Sequence, residues 1–194
     1  MKTLVSSLRS LVLFTALLGL GYPLLVTTLA QLAFPLQANG SLVGAPDKPE
    51  GSLLIGQDWP SPPWFQGRPS ATGGQPYNPQ ASGGSNLSPH GQALADRRSA
   101  AEASWKARAA DAGQSDAVPE ALLSASGSGL DPDLDLQATL WQVPLVAHVL
   151  QTDAALLEQL VRSLAVHPAW PWDPDSFVNL LKLNRALAQI LAKA

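Results

Sequence analysis

Hydrophobic residues are spread very unevenly along this chain. Leu11 to Phe34 reads LVLFTALLGLGYPLLVTTLAQLAF, and no charged side chain occurs between Ser10 and Pro46. A helix of about 20 residues crosses a hydrocarbon core of about 30 Å, so this run predicts a transmembrane helix over 11–34. The rival reading is a cleaved signal peptide, because Thr28-Leu29-Ala30 has the small-residue pattern of a cleavage site. A signal core spans about 7–15 apolar residues, shorter than this run, so an uncleaved anchor is the preferred reading. Residues 1–10 then form a short N-terminal tail. Residues 35–50, punctuated by Gly40, Gly44, Pro46 and Pro49, form a linker.

Beyond the linker the pattern turns into short segments, expected to form one soluble α+β domain over 51–194 on its single helical anchor. Gly51–Gln57 (GSLLIGQ) is a short apolar run bounded by glycine and predicts a buried strand. Trp64–Gln66 predicts a second strand, stopped by Gly67-Arg68-Pro69. Residues 70–90 are mostly Gly, Pro, Ser and Asn without periodicity, and ordered loops of that length often carry binding. Ser88-Pro89 has the form of a helix start, for a helix running to about Ala112 with Glu102 and Lys106 as a favourable pair. Val118–Ser126 predicts a third strand. Leu136, Leu140, Val143, Ala147 and Leu150 recur at helical spacing, with a kink or restart expected at Pro144. Thr152 is a candidate cap for a helix carrying Leu156, Leu157, Leu160, Val161 and Leu164, which His167-Pro168 would end. After a Trp/Pro-rich connection, Phe177–Leu181 predicts a strand, and Leu183, Leu187 and Ile190 a last helix.

Charge sets the orientation and removes one class of partner. Lys2, Arg9 and the amino terminus precede the anchor, whereas Asp47, Lys48 and Glu50 follow it. The positive-inside rule then puts the N-terminus in the cytoplasm and the domain outside it, with the anchor in contact with lipid. The net charge is −3, with Arg97-Arg98 as the only adjacent basic pair, so no nucleic-acid footprint is expected. There is no cysteine, which excludes disulfides, zinc–thiolate sites and thiol nucleophiles. Inside the anchor, Thr15 and Gly19 make a small-xxx-small pair, and Gly21 and Pro23 interrupt an otherwise bulky helix. Such a face lets another membrane helix approach closely.

Candidate chemistry is sparse. His90, His148 and His167 show no metal-ligand or triad spacing. Gly83-Gly84-Ser85-Asn86-Leu87 approaches the hydrolase G-x-S-x-G elbow but ends in Leu, where a small residue is needed. No phosphate-binding P-loop occurs. Ser82, Gly83, Gly84, Ser85 and Asn86 form a small-residue loop whose N–H groups could face an anion or simply make a turn. Arg68, held between Gly67 and Pro69, is placed to pin the long loop or to grip a partner, and Asn78 lies within that loop. No catalytic residue and no metal ligand is expected.

Several segments together resemble a known family, the C subunit of the bacterial Kdp-type, ATP-driven high-affinity potassium transporter. They are Gly21-Tyr-Pro-Leu-Leu25, Gln37-Ala-Asn-Gly-Ser-Leu42, Gly51–Gln57 and Phe65-Gln-Gly-Arg-Pro-Ser-Ala71. Tyr77–Leu87, Ser124–Asp131 and the late Val178-Asn179, Leu183-Asn184 and Ala186-Leu187 follow in the family's order. Two departures stand out. Trp64 and Gln66 occupy positions where the family usually has Tyr and His, and Trp170–Ser176 replaces a stretch that usually carries Gly.

The resemblance implies a non-catalytic subunit of a P-type potassium-transporting ATPase. Its companions would be a channel-like potassium-translocating subunit, the ATP-hydrolysing subunit and a small one-helix subunit. It further implies a catalytic chaperone that raises the ATP affinity of the ATPase subunit, with Ser82–Asn86 similar to the signature loop of ABC-transporter ATPases. The charge pattern presses against a direct ATP contact, since it puts this loop outside, away from cytoplasmic ATP. An anchored external scaffold or binding module without a transporter partner is the alternative reading.

Overall fold

The computed structural model describes residues 2–45, 47–59, 63–167 and 176–192. Two compact units divide the chain, Met1–Glu50 and Gly51–Ala194. The Trp/Pro-rich connection expected after His167, Pro168 included, and the Trp170–Asp175 stretch lie outside the described residues.

The first unit is dominated by one apolar helical run, Lys2–Ala33, of 32 residues. It comprises α1 (Lys2–Ala16), a wide π-helical turn (Leu17–Gly21) and α2 (Tyr22–Ala33), and none of their side chains is buried within the chain. The wide turn falls where the sequence is weakest. Gly19 and Gly21 lower helix propensity, and Pro23 has no N–H to complete the backbone ladder. Phe34 (φ −138°) breaks the helix before the one-turn α3 (Pro35–Ala38). Strands β1 (Leu42–Ala45) and β2 (Lys48–Ser52) then pair as a two-stranded sheet.

The second unit is helix-rich. Its elements are α4 (Gln92–Asp111), β3 (Asp133–Asp135), α5 (Leu136–Trp141), α6 (Val143–Leu150), α7 (Ala154–Leu164), β4 (Phe177–Asn179) and α8 (Leu180–Leu191). The antiparallel β3–β4 ribbon pairs Asp133 with Asn179, Leu134 with Val178 and Asp135 with Phe177. Each of these strands turns directly into a helix through a side-chain cap. The Asp135 carboxylate accepts from the Ala138 N–H at 2.7 Å, and the Asn179 Oδ1 from the Lys182 N–H at 3.2 Å. Helices pack around this ribbon through Leu134, Ala138, Leu157, Val161, Val178, Leu183 and Leu187, all essentially inaccessible. Burial raises the Asp133 carboxyl above its ordinary value; the Asn179 hydrogen bond pulls it back, Asp131 raises it and Lys182 lowers it. The restart expected at Pro144 occurs: α5 closes at Trp141 and α6 begins at Val143 with Pro144 in its first turn.

Several expected elements differ, each for a local reason. The strand expected over 51–57 stops at Ser52, whose Oγ accepts from the Leu54 N–H at 3.1 Å and turns the chain. No strand forms over 64–66. The backbone partners of Phe65 and Gln66 are side chains instead of a neighbouring strand. The strand expected over 118–126 is a 3₁₀ turn, Glu120–Leu122, started by Pro119 (φ −60°), which suits the first residue of a turn. Helix α4 starts three residues beyond Pro89, because the Ser88 carbonyl accepts from the Gly91 N–H at 2.9 Å and Gly91 becomes the cap residue. Asp153, not Thr152, caps α7, accepting from the Ala155 N–H at 2.9 Å. Helix α7 ends at Leu164, and β4 ends at Asn179 because that residue is spent as the α8 cap.

Candidate functional site

The irregular segments 65–87 and 124–131 fold against one another, and most of the singled-out polar residues lie there. Their backbone needs partners, and the chain supplies them from within. Phe65, fully buried, has its N–H bonded to the Asn184 Oδ1 at 3.0 Å and its carbonyl to the Asn184 Nδ2 at 2.9 Å. Gln66 is held the same way by Gln142: its N–H donates to Oε1 at 2.8 Å and its carbonyl accepts from Nε2 at 2.9 Å. Two side-chain amides from helical segments thus replace the neighbouring strand that 64–66 lacks.

Arg68 follows. Its Nη2 donates to the Ala125 carbonyl at 3.3 Å, and its Nη1 lies 3.6 Å from the Asp131 carboxylate. Its carbonyl accepts from the Tyr77 hydroxyl at 2.7 Å, so this arginine ties three segments together. Ser70 Oγ donates to the Gly129 carbonyl at 2.8 Å and accepts from the Tyr77 N–H at 2.9 Å. Asn78 caps the 3₁₀ turn Pro79–Ala81, accepting from the Gln80 N–H at 3.0 Å and donating to the Gly73 carbonyl at 2.9 Å.

Tyr77 is the phenol at the centre of this cluster. Burial, then the Asp131 and Asp58 carboxylates, push it from 10.0 to about 12, while the Arg68 guanidinium pulls it down. The unfolded phenol loses its proton first as the pH climbs, so the fold loses stability between about 10 and about 12. Tyr77→Phe is expected to flatten that part of a stability-versus-pH curve. At neutral pH it should cost about 1 kcal/mol for the lost bond to Arg68, read by denaturant unfolding.

The Ser-Gly-Gly loop closes the cluster. The Gly83 N–H donates to the Ser128 carbonyl at 2.8 Å, and the Ser82 hydroxyl donates to the same oxygen at 3.0 Å. Gly84 lies against Gly127: a Cβ on Gly84 would meet the Gly127 carbonyl at 3.1 Å. Ser85 Oγ accepts from the Leu87 N–H at 3.5 Å, and Asn86 takes a left-handed conformation (φ 50°). Arg97 and Ser85 line a cavity of about 40 Å³, room for very little beyond water. The Ser82 hydroxyl and the Gly83 N–H are therefore both engaged by the Ser128 carbonyl. The structure brings Arg68, Asn78, Ser82 and Gly83 into one hydrogen-bonded assembly, with Gly84 packed against Gly127 and Ser85 and Asn86 beside it. Thr15, Gly19, Gly21 and Pro23 belong to the other unit.

A larger groove of about 580 Å³ opens elsewhere on the domain, walled by Trp64, Trp105, Arg108, Val146, His148 and Val149. The Arg108 guanidinium lies 5.0 Å from the centre of the Trp105 ring and donates to the Gln66 Oε1 at 2.7 Å. An amide, with no titrating proton, therefore stands at the position where the resemblance expects histidine.

Sequence reasoning passed over Asn184, Gln142 and Tyr77. A signal did exist for Asn184, a lone amide one residue from Leu183 and three from Leu187 in an apolar stripe, but its partner across the chain was not readable. The His167 Nδ1 and Ser176 Oγ are 2.6 Å apart, yet no carboxylate bonds to that histidine among the described residues. Nor could any group of three His, Asp or Glu among them hold a metal ion.

One helix among the described residues, Lys2–Ala33, is long and apolar enough to cross a membrane, and with the separate domain beyond it this marks a single-pass, membrane-anchored class of protein. Comparison with known proteins takes this further. The chain belongs to the KdpC family, described as K+-transporting ATPase, c chain, which matches residues 4–189. It is 48% identical over 176 residues to the potassium-transporting ATPase KdpC subunit of Variovorax paradoxus, covering 90% of each chain. The KdpC subunit of Escherichia coli strain SE11 is 42% identical over 190 residues, 98% of this chain and 99% of that one.

Proposed function

We propose that this chain is a non-catalytic accessory subunit of an ATP-driven, high-affinity potassium uptake complex, with the hydrolytic site on another chain. The observation that carries the reading is its membership, nearly end to end, of a family described as a chain of the K+-transporting ATPase. Its partners are a channel-like potassium-translocating subunit, the P-type ATPase subunit and a small one-helix subunit, all in the bacterial inner membrane. The N-terminus lies in the cytoplasm, on the side favoured by Lys2 and Arg9, and the 51–194 domain on the outer face.

In this position the domain docks on the outer mouth of the translocating subunit and aids assembly and coupling. Binding there shifts the transport cycle only through unequal affinity for its conformational states. Any effect on the ATP affinity of the catalytic subunit, the chaperone role implied by the resemblance, is then indirect. The locked Ser82–Asn86 loop and its outer-face location support that indirect route. It serves as a structural or docking loop and does not hold the nucleotide.

Deleting residues 47–194 while keeping the anchor tests the reading. Potassium uptake at low external potassium should fall to the level of cells lacking the complex, with the truncated chain still in the membrane. Unimpaired uptake would leave an external scaffold unrelated to transport as the better account.

A further inference from the structure

The anchor carries a polar group that its own helix does not satisfy. Tyr22 lies in the middle of the apolar run from Leu11 to Phe34. At a rise of about 1.5 Å per residue, its Cα is about 17 Å from either end, the depth of the bilayer midplane. Tyrosines of membrane helices gather at the two interfaces, where the hydroxyl reaches water. From the midplane a phenol cannot reach either one.

Nor does it bond within the chain. Tyr22 is 62% exposed, and its hydroxyl makes no hydrogen bond among the described residues. Thr28, by contrast, turns its hydroxyl back onto the Leu24 carbonyl at 2.8 Å, and Gln31 and Asn39 bond each other at 3.3 and 3.1 Å. The tyrosine ring holds its hydroxyl too far out for such a back-bond. Left in hydrocarbon, that O–H would be an unmade hydrogen bond, which membranes penalise.

The glycines beside it point the same way. A Cβ on Gly19 would meet only the Thr15 Cγ2 at 3.9 Å, and one on Gly21 the Ala16 carbonyl at 3.6 Å, both ordinary contacts. The helix itself therefore has no need of glycine at either place, and each weakens it relative to alanine. Gly19 lies one turn before Tyr22 on the same face and leaves free surface there where a second backbone can come close, whereas Gly21 lies on another side of the helix. The wide turn, with the Tyr22 N–H bonded back to the Leu17 carbonyl, sits at the same level, and such turns gather at functional places in helices.

We propose that the Tyr22 hydroxyl donates a hydrogen bond, at mid-membrane depth, to an oxygen acceptor on a transmembrane helix of another subunit that packs over Gly19. The inference rests on the subunit reading above. A second copy of this chain is a poorer occupant. Two phenols facing across a two-fold axis form one hydrogen bond and leave the other O–H proton without an acceptor. A carbonyl, hydroxyl or amide oxygen from a different helix leaves none.

The test uses the intact complex in lipid nanodiscs. Tyr22→Phe removes one oxygen and keeps the ring. The dissociation constant of the chain from the complex should rise by about three- to twentyfold, the range set by interhelical hydrogen bonds in bilayers. Gly19→Leu, with Tyr22 intact, should weaken association as well by keeping the neighbouring backbone away. Unchanged association for Tyr22→Phe overturns the proposal. So does efficient self-crosslinking of Tyr22→Cys in this cysteine-free chain, which would make a second copy the occupant. Failure of the unsubstituted chain to associate with the other subunits would instead remove the subunit reading itself.

Discussion

Asn184→Leu is expected to destabilise the Gly51–Ala194 domain by about 2–6 kcal/mol, the cost of leaving two buried backbone groups unpaired. Asn184 is 1% exposed, and its amide closes both the N–H and the carbonyl of Phe65, itself wholly buried. Leucine matches the volume of asparagine well enough to avoid a large cavity, so the effect isolates the two hydrogen bonds. A peptide group in the core with no water and no partner has nowhere else to turn. Asn184→Asp, which keeps the acceptor but loses the donor and buries a charge, should be no better tolerated. Denaturant unfolding followed by tryptophan fluorescence reads the difference. A loss below about 1 kcal/mol would mean that Phe65 finds other partners. The equivalent change at Gln142 removes the second clamp, on Gln66, and should be the milder of the two because Gln66 is only partly buried.

Gly129→Ala should detach the Ser-Gly-Gly loop from its support. Gly129 has φ +67°, and a Cβ there would lie 2.7 Å from the Thr72 Cγ2 and 2.9 Å from the Gly83 carbonyl. The backbone conformation alone costs an L-residue about 1–2 kcal/mol. The contacts add to it, because the Gly83 carbonyl is backbone and cannot swing aside as a side chain would. Two hydrogen bonds to Ser128, from Gly83 and Ser82, are the first to give way. The expected result is faster amide exchange at Gly83 together with a stability loss of about 2–4 kcal/mol, the range typical of substitutions that force a packed backbone apart. Unchanged exchange at Gly83 would show that the two loops are held by something other than this contact. Because the same loop is the proposed docking or structural element, transport by this variant should suffer as well.

Both predictions concern places where the linear sequence says least. An unbroken apolar run pointed to the N-terminal helix, which in the structure extends over Lys2–Ala33; Pro144 marked the restart, and periodicity the amphipathic helices α7 and α8. Each of these depends on residues within a few positions of one another, and a turn of helix is a local event. Capping was legible in kind but missed by a residue at Asp153, since neighbouring Thr and Asp compete for the same N–H groups and packing selects between them. Residue type marked Arg68 and Asn78 as loop-pinning or partner-binding, and in the structure both bond backbone carbonyls, Arg68 that of Ala125 and Asn78 that of Gly73.

Tertiary structure alone decided the rest. Asp133–Asp135 became a strand because Phe177–Asn179, more than forty positions away, lies beside it. Trp64–Gln66 did not, because amides from Asn184 and Gln142 reached its backbone before any strand did. The Gly83 N–H of the Ser-Gly-Gly loop is met by the carbonyl of Ser128, far along the chain. In every such case the deciding partner is remote in sequence, and the order of residues along a chain records the demand of a backbone group without recording what meets it.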